Sequence, residues 1–175
     1  GKRILASQQF SNITHNEFRP GPVNNTGLTD SLRYYRVWKV DRTEIDYHMA
    51  NYNQPNYNAD SSIANWPAHG DTTLGEAYHL APFVDLDGDG NYEPADGEYP
   101  CIRGDQALYA ISTDQRDSAH TINIQDAEGN LDVEVHTMLY AYNNTGIPLL
   151  DTTVFVTFRL INRSSFDYDS LTVGF

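Results

Sequence analysis

Period-two alternation dominates the second half of the chain. Between 131 and 142, Leu131, Val133, Val135, Leu139 and Ala141 fall on one side, and Asp132, Glu134, His136, Met138, Tyr140 and Tyr142 on the other. Such alternation predicts a half-buried antiparallel strand whose apolar side meets the core. Between 152 and 162, Val154, Val156, Phe158 and Leu160 alternate with Phe155, Thr157, Arg159 and Ile161, which predicts its neighbour. Shorter runs at 107–112 and 120–125 read as strands, and 171–175 reads as a last one. Turn chemistry at 126–130, 144–148 and 167–169 separates them. A meander of this kind predicts a mainly β chain, specifically an antiparallel β-sandwich.

The first half is less periodic. Residues 33–40 are dense in aromatic and β-branched side chains and read as a strand. Asp41 and Glu44 have the spacing of a capping box, and Ile45 and Met49 lie four apart, so one short helix is expected over 42–51. Residues 52–82 are polar and carry no clear period. A loop of that length is usually functional or pinned by something. The expected organisation is a loop-rich part over 1–106, holding a strand, the short helix and an acidic loop, and a β-meander over 107–175. The two are expected to pack as one truncated domain with long irregular N-terminal loops.

The acidic loop is the most specific feature. Over 85–96, Asp85, Asp87, Asp89 and Asp96 occupy positions one, three, five and twelve, with Gly90 at six. Carboxylates so close repel one another unless a cation lies between them, and calcium takes six to eight oxygen ligands. Asn91 would add its backbone carbonyl, and Glu93 would bind directly or through water. The spacing resembles the calcium loops of EF-hands and dockerins, with Asp96 in place of the usual Glu. Pro82 and Pro94 disfavour flanking helices, so the loop is expected to staple irregular chain rather than to switch a helix pair. Calcium is the expected cofactor.

Composition narrows the partners. The 175 residues carry 11 Lys and Arg against 24 Asp and Glu, a net charge of −13. That balance argues against nucleic acid and anionic membrane, both of which need basic patches. No apolar run is long enough to span a bilayer. Twelve Tyr against two Met favour a β-rich, secreted chain. The single cysteine, Cys101, precludes an internal disulfide and is expected to be a buried apolar thiol.

Several segments together carry a resemblance: 18–22 (FRPGP), 36–40 (RVWKV), 66–71 (WPAHGD), 81–85 (APFVD), 97–100 (GEYP), 104–107 (GDQA) and 161–164 (INRS). The chain resembles the large secreted surface proteins of Bacteroidetes that carry a C-terminal type IX sorting domain. The resemblance implies export to the cell surface or beyond it and no catalytic residues, and the absence of a sorting domain fits a fragment of a longer protein. Five triplets resemble the O-glycosylation signal of exported Bacteroidetes proteins, which makes Ser31, Thr72, Ser118, Thr152 and Ser170 candidate acceptors.

Other chemistry is weaker. No nucleophile elbow, phosphate loop or dinucleotide fingerprint is present. His69 and His79 are near in sequence but lack a zinc spacing, and isolated loop histidines are the favoured reading. The tripeptide Arg103-Gly104-Asp105 spells an adhesion motif of little weight in its context. Trp66 is a candidate glycan contact, since aromatic platforms beside Asn and Asp suit sugars, whereas Trp38 belongs in the core. The expectation is a calcium-stabilised structural or adhesive module of a secreted protein, not an enzyme. A carbohydrate-binding β-sandwich is the alternative, and a hydrolase ranks last. Expected partners are calcium, glycans or other surface proteins, with assembly through edge strands.

Overall fold

The computed structural model describes residues 18–25, 31–115, 130–169 and 171–174. In chain order the elements are β1 (Arg19–Pro20), α1 (Ser31–Tyr34), β2 (Trp38–Asp41), α2 (Arg42–Asn51), α3 (Ser61–Ala64), β3 (Phe83–Val84), β4 (Tyr99–Pro100), β5 (Gln106–Thr113), β6 (Val133–Ala141), α4 (Pro148–Asp151) and β7 (Val154–Asn162). The chain is mainly β, with short helices. One antiparallel sheet runs β7, β6, β5, and both β1 and β2 pair with the other side of β5. Strands β3 and β4 form a separate two-stranded pair. The part before 107 therefore docks onto the meander through backbone ladders.

Helix α2 covers the span expected for it. Glu44 Oε2 accepts a hydrogen bond from the backbone N–H of Asp41 at 2.9 Å, which satisfies a donor at the helix entrance. The strand expected over 33–40 begins only at Trp38. Tyr34 instead closes the turn α1, because its ring is buried and its hydroxyl donates to Glu76 at 2.7 Å. Residues 171–174 form no strand, and the strand expected over 120–125 lies outside the described residues.

What covers the inner face of the sheet is not a second full sheet. It is a layer of loop and short helix in which Ile45 of α2, Trp66, Ala68, Leu80 and Ile102 pack against Trp38, Val40, Tyr109, Ile111 and Met138 of the sheet. The sheets do not close into a sandwich among the described residues.

Val133 is buried as expected, but from Glu134 onward the alternation in β6 has the sense opposite to the expected one. Glu134, His136 and Met138 are 0%, 2% and 7% exposed. Val135 and Leu139, on the apolar side, are only half-buried. In β7 the apolar side chains Val154, Val156, Phe158 and Leu160 all face out, at 65%, 47%, 42% and 39% exposure. The registers agree: Val135, Thr137 and Leu139 pair with Leu160, Phe158 and Val156, which puts one apolar stripe on the uncovered face. Polar residues can occupy the covered face because each finds a partner there, as described below.

This assignment of faces predicts a reversed ranking of substitutions. Met138→Ala is expected to cost about 2–5 kcal/mol, the usual range for emptying a core site. Val156→Thr, on the open face, is expected to stay within about 0.5 kcal/mol, as surface changes do. Urea midpoints of the two variants check the order.

Candidate metal centre and the cleft beside it

The acidic loop leaves the β3–β4 pair and returns to it. Val84 pairs with Tyr99 and Phe83 with Pro100, so the loop's two ends are clamped together. Between them, one carboxylate oxygen from each of Asp85, Asp87 and Asp89 lies within 4.8 Å of the others. Backbone donors hold this arrangement. Gly88 N–H donates to Asp85 Oδ1 at 2.7 Å and Gly90 N–H to Asp85 Oδ2 at 2.9 Å. Asp89 N–H donates to Asp87 Oδ1 at 3.1 Å and Asn91 N–H to Asp89 Oδ1 at 2.7 Å. Gly90 sits at φ +82°, a left-handed conformation that glycine adopts without strain. Each carboxylate oxygen has a second lone pair, so these bonds orient the ligands without using them up.

The other loop residues behave differently. The side chain of Asn91 is committed, with Nδ2 donating to Asp89 and Oδ1 accepting from the Tyr78 hydroxyl. Glu93 feels the cluster's charge: the carboxylate of Asp89 foremost, then desolvation and the charges of Asp96 and Asp87, push its carboxyl above the usual range. Burial works to raise Asp85, but the bonds from Gly88 and Gly90 outweigh it and hold that carboxyl below the usual range. Asp96 lies in the 3₁₀ turn Pro94–Asp96 and does not join the three clustered oxygens. The donor set is thus three hard anionic oxygens with a fourth carboxyl in their field. That chemistry fits a hard cation such as calcium.

The loop rests on a residue that its spacing does not reveal. Glu98 is 2% exposed. Its Oε1 accepts from Leu86 N–H at 2.9 Å and its Oε2 from Glu93 N–H at 2.8 Å, so one carboxylate joins both limbs of the loop. Its backbone carbonyl lies 3.1 Å from Nε2 of buried His48 on α2. Beside it, Gly97 has φ +95°, and a Cβ there would come within 2.9 Å of the Tyr52 ring. On the other side, His69 Nδ1 donates to Tyr78 O and its Nε2 accepts from Tyr92 N–H at 2.8 Å. Both ring nitrogens of His69 are therefore used, and it has no lone pair left for a metal shared with His79. A Glu two residues past position twelve lies outside the ligand spacing, so only the fold reveals its role.

Other candidates take different places. Trp66 is 5% exposed, donates its indole N–H to Pro82 O at 2.9 Å and packs on Tyr109 with ring centroids 5.2 Å apart. It anchors the long loop and offers no ring face to a sugar, which corrects its reading as a glycan contact. Cys101 is exposed rather than buried. The tripeptide at 103–105 is a turn: Gly104 has φ +69°, and Asp105 Oδ2 accepts from Asn143 N–H at 2.8 Å. Thr72 and Thr152 are exposed. Ser118, Ser170 and the side chain of Ser31 lie outside the described residues. Among the described residues no helix is long and apolar enough to cross a membrane.

The polar residues of β6 form a connected network under the sheet's inner face. Tyr109 donates its hydroxyl to His136 Nδ1 at 2.7 Å, and His136 Nε2–H donates to Glu134 Oε2 at 3.0 Å. Arg163 Nη2 donates to the same oxygen at 2.9 Å, and Val23 N–H donates to Glu134 Oε1 at 3.1 Å. Burial alone would raise the carboxyl of Glu134, but the bonds from His136 and Arg163 and the charge of Arg163 hold it below the usual range. Beside this network the covering loops leave a cleft along β7, bordered by Pro82, Met138, Arg159 and Arg163.

Two outcomes are expected. Glu134→Ala strands Arg163 and Val23 N–H and is expected to lower stability by about 3–5 kcal/mol. Because the folded-state carboxyl titrates below its unfolded value of about 4.3, its contribution is complete above that pH and is lost as the pH falls through the folded value. Urea unfolding at neutral and acid pH, with Glu134→Gln as the comparison, checks the sign: the wild type should lose the larger share in acid. Trp66→Ala is expected to cost about 3–5 kcal/mol as a core truncation, measured by the same method.

Comparison with family models, with curated proteins and with solved structures returns no match for this chain.

Proposed function

We propose that this chain is a calcium-stabilised structural or adhesive module of a secreted or cell-surface bacterial protein, without catalytic activity of its own. The observation that carries the reading is the clustering of the Asp85, Asp87 and Asp89 oxygens on a loop whose two limbs are joined by buried Glu98. In water, three such carboxylates repel one another, and a divalent cation converts that repulsion into attraction. Asp85, Asp87 and Asp89 would supply direct ligands, with Glu93 and the carbonyl of Asn91 completing the shell and Asp96 reaching it through a modest shift of its turn.

The loop's position supports a structural role. Bonds and packing from Glu98, His69 and Tyr52 connect it to α2 and to the long segment before β3. A cation here would fix the geometry of a layer with few backbone ladders of its own. The resemblance to secreted Bacteroidetes surface proteins, the acidic charge and the exposed Thr72 and Thr152 are consistent with an extracellular setting, where calcium is abundant. A sandwich remains the finer reading of the fold: the apolar stripe of Val154, Val156, Phe158 and Leu160 is the face a second sheet would cover. The carbohydrate-binding alternative loses its main residue with the burial of Trp66.

Thermal unfolding tests the proposal. At calcium a hundredfold above Kd, the folded state gains about 2.7 kcal/mol. For a chain of this size each kcal/mol moves Tm by roughly 2–4 °C. Calcium should therefore raise Tm by several degrees and a chelator should reverse the gain. Asp87→Ala should abolish the difference. Equal Tm in calcium and in chelator would sink the reading.

A further inference from the structure

The cleft along β7 has a charge opposite to that of the whole molecule. The chain carries −13, yet three of its 11 basic residues, Arg103, Arg159 and Arg163, border two adjoining pockets of 340 and 250 Å³. Arg159 borders both, and so does Pro82. Among the described residues, no Asp or Glu lines either pocket. Among the described residues, the carboxylate bonded to one of these guanidiniums is Glu134, which Arg163 and His136 engage.

The guanidiniums are not all satisfied by the protein. The guanidinium of Arg159 makes no hydrogen bond or ion pair with any described residue; the residue is exposed, on the β7 side that pairs with His136. Arg163 spends Nη2 on Glu134, but its Nε is buried and has no partner. A buried N–H without an acceptor is costly, so an oxyanion that reached it would remove that deficit. Arg103 lies over the Tyr140 ring, 5.9 Å from its centroid, and its guanidinium also holds the Tyr140 hydroxyl below its usual range. The rest of the lining mixes apolar side chains, among them Pro82, Phe83 and Met138, with the polar His79, His136 and Thr157.

We propose that this cleft binds a small ligand carrying one oxyanion group, with the anion held by Arg159 and Arg163 and the body of the ligand resting on the mixed lining toward Arg103. Guanidinium forks match carboxylate, sulfate and phosphate oxygens through paired, charge-assisted hydrogen bonds. The volumes are at the small end of ligand sites, which suits a body of monosaccharide or amino-acid size. The cleft adjoins the acidic loop through Phe83 and His79 but takes none of its ligand residues.

Titration of the whole chain at constant ionic strength with acetate, glucuronate, sulfate and inorganic phosphate tests this, read by calorimetry and by the Arg Nε–H resonances. Saturable binding of at least one probe is expected, with the Arg159 and Arg163 resonances shifting. Glucuronate binding more tightly than acetate assigns a carboxylate ligand with a body, and phosphate or sulfate binding most tightly assigns an ester of those acids; either supports the site. Arg159→Gln should weaken binding about tenfold or more without moving Tm, as the loss of a charge-assisted bond requires. Arg163→Lys keeps the charge near Glu134 but removes Nε, and should weaken binding in the same sense. Arg36→Gln, at an exposed arginine stacked on Trp38 outside the cleft, should change nothing. Absence of saturable binding by every probe, or equal losses in Arg36→Gln and Arg159→Gln, overturns the proposal.

Discussion

The carboxylates of Glu76, Glu98, Asp114 and Glu134 are buried, and each accepts a hydrogen bond from a backbone N–H in a segment without a ladder partner. Glu76 takes Asp71 N–H, Glu98 takes Leu86 and Glu93 N–H, Asp114 takes Leu131 N–H and Glu134 takes Val23 N–H. Irregular chain covering a sheet must satisfy its peptide groups somehow, because an unpaired buried N–H costs free energy comparable to a lost hydrogen bond. Here charged side chains take the place of secondary structure. Carboxylate acceptors make stronger hydrogen bonds than neutral ones. The fold's long loops are therefore specified residue by residue rather than by periodicity.

The same device explains the inverted alternation of β6. A glutamate and a histidine can face the core there because Tyr109, Arg163 and Val23 complete their hydrogen bonds. The apolar side chains of β6 and β7 are left on the open face as a consequence, and a stripe of that kind is a natural surface for further protein. The two faces of one sheet thus serve different ends. The covered face organises loops and borders the arginine cleft, while the open face presents Val154, Val156, Phe158 and Leu160.

Glu98 links the acidic loop to everything else. Its side chain joins the loop's limbs, its carbonyl meets His48 of α2, and the adjacent Gly97 lets Tyr52 close in. A cation bound at Asp85, Asp87 and Asp89 would act on this junction, so its stabilisation would spread into α2 and the segment that carries Trp66. The arginine cleft begins just before the loop, at Phe83 and Pro82, yet draws its charge from β7 and the residues after it.

The sequence by itself determined the local features. Helix α2 follows from a capping box and an i, i+4 apolar pair, and the ligand order of the acidic loop follows from spacing along a single short stretch. The strands β6 and β7 were legible from alternation, because side chains in a strand point to opposite faces in strict turn, and β5 from a short strand-like run. Which face would be buried was not legible, since that depends on partners far away in the chain: Glu134 is 111 residues from Val23 and 29 from Arg163. Trp66 becoming core, Cys101 becoming exposed, and the convergence of Arg103, Arg159 and Arg163 have the same cause. Burial and charge clustering are properties of long-range packing, and only the tertiary structure brings those residues together.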